Sequence, residues 1–397
     1  RDPRIRDPLW MQLFGVAVLF ALLDGFGAYF QILVLSPTKY LIPQFVLLAS
    51  TLLLVPRGRL RDFRIPLPLL AFVVWWAMSY AWSTSALTYI RISLRDMLII
   101  FIVVLAAQIL PLDYFIELLI RCGYAVLFLI VAALAIHPSG AYMSGGGAPG
   151  LRGGFIHKNQ LAPCIIFIAL VILCFDTRVW LRRAAVVVVL ALLVVARTTT
   201  GEATFVMLLI ARVVFTQYGV FARRVGRPLR TVILGSVALG AVLAFFSYAP
   251  VVRLSGKDLT FSSRTRIWGA VLWAVSKRKL AGYGWDVYLN LAAEPALGIN
   301  TRTGFVEAES HGVFFELLLR LGIVGFILWI VFIAHTLTLG WRVMRRGTVA
   351  PLGVLTLLLC YLMIGFGFSE SLPVQGVWIG LVGAFSVLCS RQLADRG

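Results

Sequence analysis

Residues 311–339, HGVFFELLLRLGIVGFILWIVFIAHTLTL, decide how this chain is to be read. Past His311 the stretch carries only two charged side chains, Glu316 and Arg320, and one further histidine, His335. As an α-helix rising 1.5 Å per residue it would cover roughly 40 Å, more than the ~30 Å hydrocarbon core of a bilayer. The two charges stand four residues apart with the acid first, so they meet on one helix face. Local pairing of that kind makes burial of charge in a membrane tolerable. Glu117 and Arg121 repeat the arrangement in another apolar run. Arg212 lies near a run's end and can snorkel toward water.

Working outward, similar runs fill most of the 397 residues. The chain is 60% hydrophobic and 13% charged, against about 45–50% and about 25% in soluble domains. This excludes an ordinary soluble enzyme, a disordered chain and a disulfide scaffold. The runs predict twelve helices, near 9–35, 40–56, 65–83, 95–110, 114–136, 157–175, 184–197, 202–217, 230–249, 311–339, 348–368 and 375–390. The expected fold is an all-α polytopic membrane protein, a single integral membrane domain over 1–397. One large extracytoplasmic loop, 250–310, precedes the last three helices. The chain begins at Arg1 rather than Met, and its first apolar run reads as a retained helix rather than a cleaved signal peptide.

Charge supports this map. The net charge of +19 would suggest nucleic acid in a soluble protein, but membrane proteins collect cations on cytoplasmic loops. With both termini inside, nineteen Lys and Arg fall on cytoplasmic segments, including Arg57, Arg59, Arg61, Arg64, Arg182, Arg183, Arg345 and Arg346. Six fall on the short outer loops: Lys39, Arg91, Arg95, Arg152, Lys158 and Arg197. The long loop carries eight more, and long loops escape the rule. The five cysteines lie in or beside apolar runs and show no metal or disulfide spacing. No phosphate-loop, HExxH, GxSxG or DxD motif and no internal repeat is present.

Three polar clusters stand at outer helix mouths. The first contains Arg152, His157, Lys158 and Asn159, at a helix start where free N–H groups and the helix dipole favour an anion. Interfacial anchoring by long cationic side chains is the plainer alternative. The second is Ser262-Ser-Arg-Thr-Arg-Ile-Trp268. Ser262 or Ser263 would cap a helix running toward Lys277, which puts Arg264 and Arg266 in the first turn, where the dipole disfavours cations. A bound phosphate would account for them, since Arg binds phosphate oxygens in bidentate fashion. A basic helix lying on anionic lipid, with Trp268 and Trp273 at the interface, would too. The third is Glu307-Ala-Glu-Ser-His-Gly312. His311 can serve as a base near neutral pH, with Glu307 or Glu309 orienting it; an ordinary interfacial histidine is the alternative. Between them, Leu280-Ala-Gly-Tyr-Gly-Trp285 reads as a tight turn carrying aromatics, Tyr283 among them, that could face a sugar or simply turn the chain. Arginines and histidines without an evident metal site suit an anionic, diphosphate-bearing lipid substrate.

These segments resemble a known family. Residues 152–162, RGGFIHKNQLA, resemble the RGxxxHKNxLA stretch of ExoQ-like exopolysaccharide polymerases. Residues 263–268, SRTRIW, resemble their GRTxIW segment, and 280–285, LAGYGW, their LGYGF turn. Residues 309–325, ESHGVFFELLLRLGIVG, resemble their AHNxxLxLLLxLGxVG helix start, with Ser310-His-Gly in place of Ala-His-Asn. The wider group is the superfamily of O-antigen ligases and Wzy-like polymerases. The resemblance implies a GT-C-like, metal-independent, inverting glycosyltransferase without a cofactor. Its donor would be a glycan on undecaprenyl diphosphate at the periplasmic face of the bacterial inner membrane. It would make Arg152, Arg264 and Arg266 diphosphate ligands and His311 the residue that orients or deprotonates the acceptor. His157, Lys158, Asn159, Trp268, Tyr283 and Glu309 would line the substrate. The acceptor is another lipid-linked repeat unit in a polymerase and lipid A–core in a ligase. A chain-length regulator is a further candidate partner. A transporter of lipid-linked saccharide is the rival of another class; internal repeats and midplane sites would mark it, and the polar clusters here sit at helix mouths instead.

Overall fold

The computed structural model describes residues 8–26, 63–83, 86–136, 138–142, 150–153, 155, 158–221, 264–285, 287–288, 290–304, 306, 309–346, 350–366 and 375–394, with isolated positions 49, 53 and 55. For Gly25, residues 86–93, 139, 158, 159, 199 and 218–221 it describes the backbone alone. The expected helices at 40–56 and 230–249, the caps Ser262 and Ser263, and His157 and Glu307 lie outside the described residues.

The regular secondary structure among the described residues is helical, apart from one isolated bridge between Tyr142 and Leu151. The helices are α1 (Leu9–Phe26), α2 (Leu67–Met78, continued by a 3₁₀ turn Ser79–Trp82), α3 (Ala86–Ile109), α4 (Leu112–Ile136), α5 (Lys158–Phe175), α6 (Val179–Ala196), α7 (Thr199–Phe221), α8 (Arg264–Lys277), α9 (Ala296–Thr303), α10 (Val313–Met344), α11 (Ala350–Gly365) and α12 (Gly376–Ala394). A single turn, Pro138–Ala141, follows α4. Among the described residues, five helices are long and apolar enough to cross a membrane: α4, α6, α10, α12 and Thr200–Gln217 of α7. Apolar stretches in α1, α2, α5 and α11 are shorter. The protein is a multi-pass membrane protein.

At its centre stand α11 and α12, apolar around their whole circumference and buried over most of their length. In lipid there is little hydrophobic gain from joining two helices, so close backbone approach carries the packing. On α12, Gly376, Gly380 and Gly383 provide it. A Cβ on Gly376 would come within 2.6 Å of the Asp96 Cα, and one on Gly380 within 3.2 Å of the Ile100 Cα. A Cβ on Gly383 would come within 3.0 Å of the Val104 side chain. This stripe seats α3 against α12, the most extensive helix pairing among the described residues. On its other sides the pair α11–α12 meets α10, α5 and α7.

Two expectations change. The fourth helix starts at Ala86 instead of 95, so Arg91 and Arg95 belong to α3 rather than to an outer loop. Arg95 and Asp96 interrupt the hydropathy of the run, but in the fold Arg95 has a partner: its Nε lies 3.2 Å from Asp24 Oδ2 of α1, and its Nη2 donates to the Asp24 carbonyl at 2.7 Å. Similarly α6 starts at Val179, which takes Arg182 and Arg183 into its first turns.

The other change concerns α10, expected as one unbroken helix. It breaks at Gly322, whose φ of 65° and ψ of −168° suit only glycine. A break inside an apolar helix frees backbone groups that lipid cannot satisfy. Here the segment 279–284 satisfies them. Tyr283 N donates to Leu319 O and Gly284 N to Arg320 O, both at 2.9 Å. The Trp75 indole donates to Leu321 O at 3.0 Å. Ile323 N and Val324 N donate to the carbonyls of Lys279 and Leu280. A Cβ on Gly282 would come within 2.6 Å of the Arg320 carbonyl, and one on Gly322 would overlap the Leu280 oxygen. The aromatic turn foreseen in the sequence therefore threads the broken helix.

Candidate functional site

The part of the chain between α7 and α10 builds its own small core. Ile267, Val271 and Ala274 of α8 pack on Ile299 of α9, Tyr283, Tyr288 and Leu319 of α10. Fully burying a side chain such as Val271, Ile299 or Leu319 contributes about 1.5–3 kcal/mol where water is the alternative. The core fixes α8 across the start of α10, and the two helices clamp the turn 309–312 between them.

His311 heads that turn in the left-handed region, at φ 50°, which costs a non-glycine residue free energy. Its neighbour Ser310 is fully buried and anchors the turn from three sides. Ser310 N donates to Glu316 Oε2 at 2.8 Å. The Ser310 and Tyr288 hydroxyls bond at 2.9 Å. The Ser310 carbonyl accepts the Trp268 indole N–H at 3.2 Å. The His311 ring is about one quarter exposed, and its Nδ1 lies 3.2 Å from Glu309 Oε1. The carboxylate favours a proton on that nitrogen, and in that tautomer Nε2 carries the lone pair.

Trp268 brings the arginines into play. Its indole stacks on Phe315 of α10 with centroids 4.8 Å apart. Arg264 stands one turn before Trp268 on the same helix face, toward the His311 turn. Arg266 points elsewhere: it is exposed, and its Nε donates to the Arg302 carbonyl at the end of α9. On that face Trp273 lies between two cations, Lys277 Nζ at 3.7 Å and Arg302 Cζ at 3.8 Å from the ring centroid.

Other expected site residues are placed differently. Arg152 sits on a framework made by α4, α6 and the turn after α4. Its backbone N and that of Gly153 donate to the Ala141 carbonyl, and its Nε donates to Gly140 O at 2.8 Å. Lys158 and Asn159 form the first turn of α5, as expected from the sequence. Tyr283 corrects the expectation of a sugar-facing ring. It is buried, and its hydroxyl donates to the Ala274 carbonyl at 3.1 Å, because the turn that carries it is drawn into the break of α10.

Sequence reasoning missed the reach of Glu316. The expected pair with Arg320 is present, Nε to Oε1 at 2.5 Å, but Glu316 is fully buried and its second oxygen holds Ser310. Arg320 in turn lies over the Trp285 ring at 5.0 Å, and Trp285 stacks on Trp76 at 4.0 Å. The pair spacing was visible; the link six residues back has no sequence signature.

No curated protein matches the chain. A family model described as O-antigen ligase matches residues 184–330. The matched part holds Arg264, Arg266, Trp268, the threaded turn and His311, and leaves out Arg152. Over those residues the chain is similar to the O-antigen ligases.

Proposed function

We propose that the protein is a polysaccharide polymerase, a membrane glycosyltransferase that joins undecaprenyl-diphosphate-linked repeat units into exopolysaccharide or O-antigen. The site would open at the periplasmic face of the bacterial inner membrane, with both chain termini cytoplasmic. The observation that supports this reading is the bond from Trp268 of α8 to the Ser310 carbonyl, which holds the His311 turn one helical turn from Arg264.

In the reaction the acceptor hydroxyl attacks the anomeric carbon of the donor sugar. Its proton passes to His311 Nε2, and Glu309 beside Nδ1 stabilises the imidazolium. The bond from the anomeric carbon to the diphosphate oxygen breaks, and the diphosphate leaves with the electron pair. Arg264 stabilises that developing charge in place of a metal, with Arg152, His157, Lys158 and Asn159 as further partners for the diphosphate and glycan. Attack from the face opposite the leaving group inverts the anomeric centre. Trp268 and Tyr283 support the site through packing.

In the host, His311→Ala and Arg264→Ala should each abolish polymer while the protein remains in the membrane at wild-type level. Immunoblots of membranes beside polysaccharide gels read both quantities. Normal polymer from the two variants would overturn the assignment. The family match, described as O-antigen ligase, favours a second reading in which the same chemistry transfers the glycan to lipid A–core. A glycan-capped lipid A–core in place of a ladder of repeats would select it.

A further inference from the structure

We infer that Glu316 is a positioning residue for His311, acting through the backbone of Ser310; the inference rests on the reading of His311 given above. His311 occupies a left-handed conformation, which costs a non-glycine residue free energy. The two residues cannot move independently, since one peptide unit joins them. Every polar group of Ser310 is engaged, and the strongest of its bonds is the charge-assisted one from its N–H to the Glu316 carboxylate at 2.8 Å. That carboxylate is itself immobile. It is fully buried in the first turn of α10, where the helix dipole favours negative charge, and Arg320 holds its other oxygen through Nε and Nη2. Arg320 is fixed in turn. Its carbonyl accepts Gly284 N, and its guanidinium lies over Trp285. A rigid line therefore runs from the bundle through Arg320 and Glu316 to the peptide that carries His311. A pair serving only to neutralise two charges would need neither the second oxygen nor the Ser310 N–H.

Glu316→Gln keeps the size and removes the charge, so the carboxamide cannot face Arg320 and hold Ser310 as before. Displacement of a reacting group by about 1 Å costs on the order of 10²-fold in rate. The variant should lose on the order of 10²-fold in kcat for repeat-unit joining. Its KM for the lipid-linked donor should stay within about twofold, because the arginines that bind the diphosphate are undisturbed. Glu316→Asp, which keeps the charge, should recover part of the rate. A second readout needs no turnover: the rate at which diethylpyrocarbonate acylates His311 in the full-length purified protein, followed by peptide mass mapping. It should change severalfold in Glu316→Gln and stay unchanged at His335. Wild-type kcat together with a wild-type acylation rate at His311 would overturn the inference. If the wild-type protein joins no repeat units but the acylation rate still shifts, the proposed reaction fails and the positioning stands. If Glu316→Gln does not fold, Glu316→Asp carries the test. It keeps the charge but is one methylene shorter, so it cannot face Arg320 and hold Ser310 N together, and wild-type kcat and acylation there would overturn the inference equally.

Discussion

At the scale of single residues, backbone geometry separates chemistry from folding at position 311. Asparagine tolerates the left-handed region better than alanine does, so His311→Asn should keep the turn and lose the imidazole. We expect no product from it, with a thermal midpoint within about 2 °C of wild type, measured on detergent-solubilised protein. Arg264→Ala should lower kcat by about 10²–10³-fold, the usual effect of removing one donor to a developing anion. Arg264→Lys should recover only part of the loss, because an ammonium cannot make the bidentate contact. Single-turnover assays on the purified variants check both. His311, Arg264 and Glu309 were legible from the sequence because polar residues at apolar helix mouths are conspicuous. Ser310 and Tyr288 were not. Their value lies in a tertiary contact between residues 22 apart, and neither type is unusual where it stands.

At the scale of elements, glycine does the work that hydropathy hides. The run 311–339 reads as one helix because an isolated glycine in a helix costs only ~1 kcal/mol and is often tolerated. Nothing local announces that Gly322 breaks α10 or that 279–284 fills the break. Gly322→Ala should destabilise the protein by about 1–3 kcal/mol from backbone strain alone, and the clash with Leu280 O adds to it. The measurement is the thermal midpoint, with partial loss of protein from the membrane. On α12, Gly380→Leu should force α3 away from its seat and cost about 1–3 kcal/mol as an overpacked contact. The start of α3 was misjudged for a related reason. Arg95 and Asp96 look like a helix end in a hydropathy profile, and the partner that makes Arg95 tolerable, Asp24, lies 71 residues away.

For the whole molecule, the apolar runs and the positive-inside pattern were enough to announce a polytopic helical membrane protein, and most described helices lie within a few residues of their expected positions. The arrangement of α11 and α12 at the centre was not readable, since runs that are apolar all round carry no face to orient them. The same blindness applies to the site: four ordered motifs could be recognised, but only the fold brings α8 onto the His311 turn. Joining repeat units is the central claim. Its most direct measurement mixes the purified protein with its host's undecaprenyl-diphosphate-linked repeat units, chelator present, and resolves the products on a gel. A ladder of multiple repeats from the wild type, absent with His311→Asn, is the predicted result. An unchanged repeat unit with the wild type, or an equal ladder from His311→Asn, would contradict it.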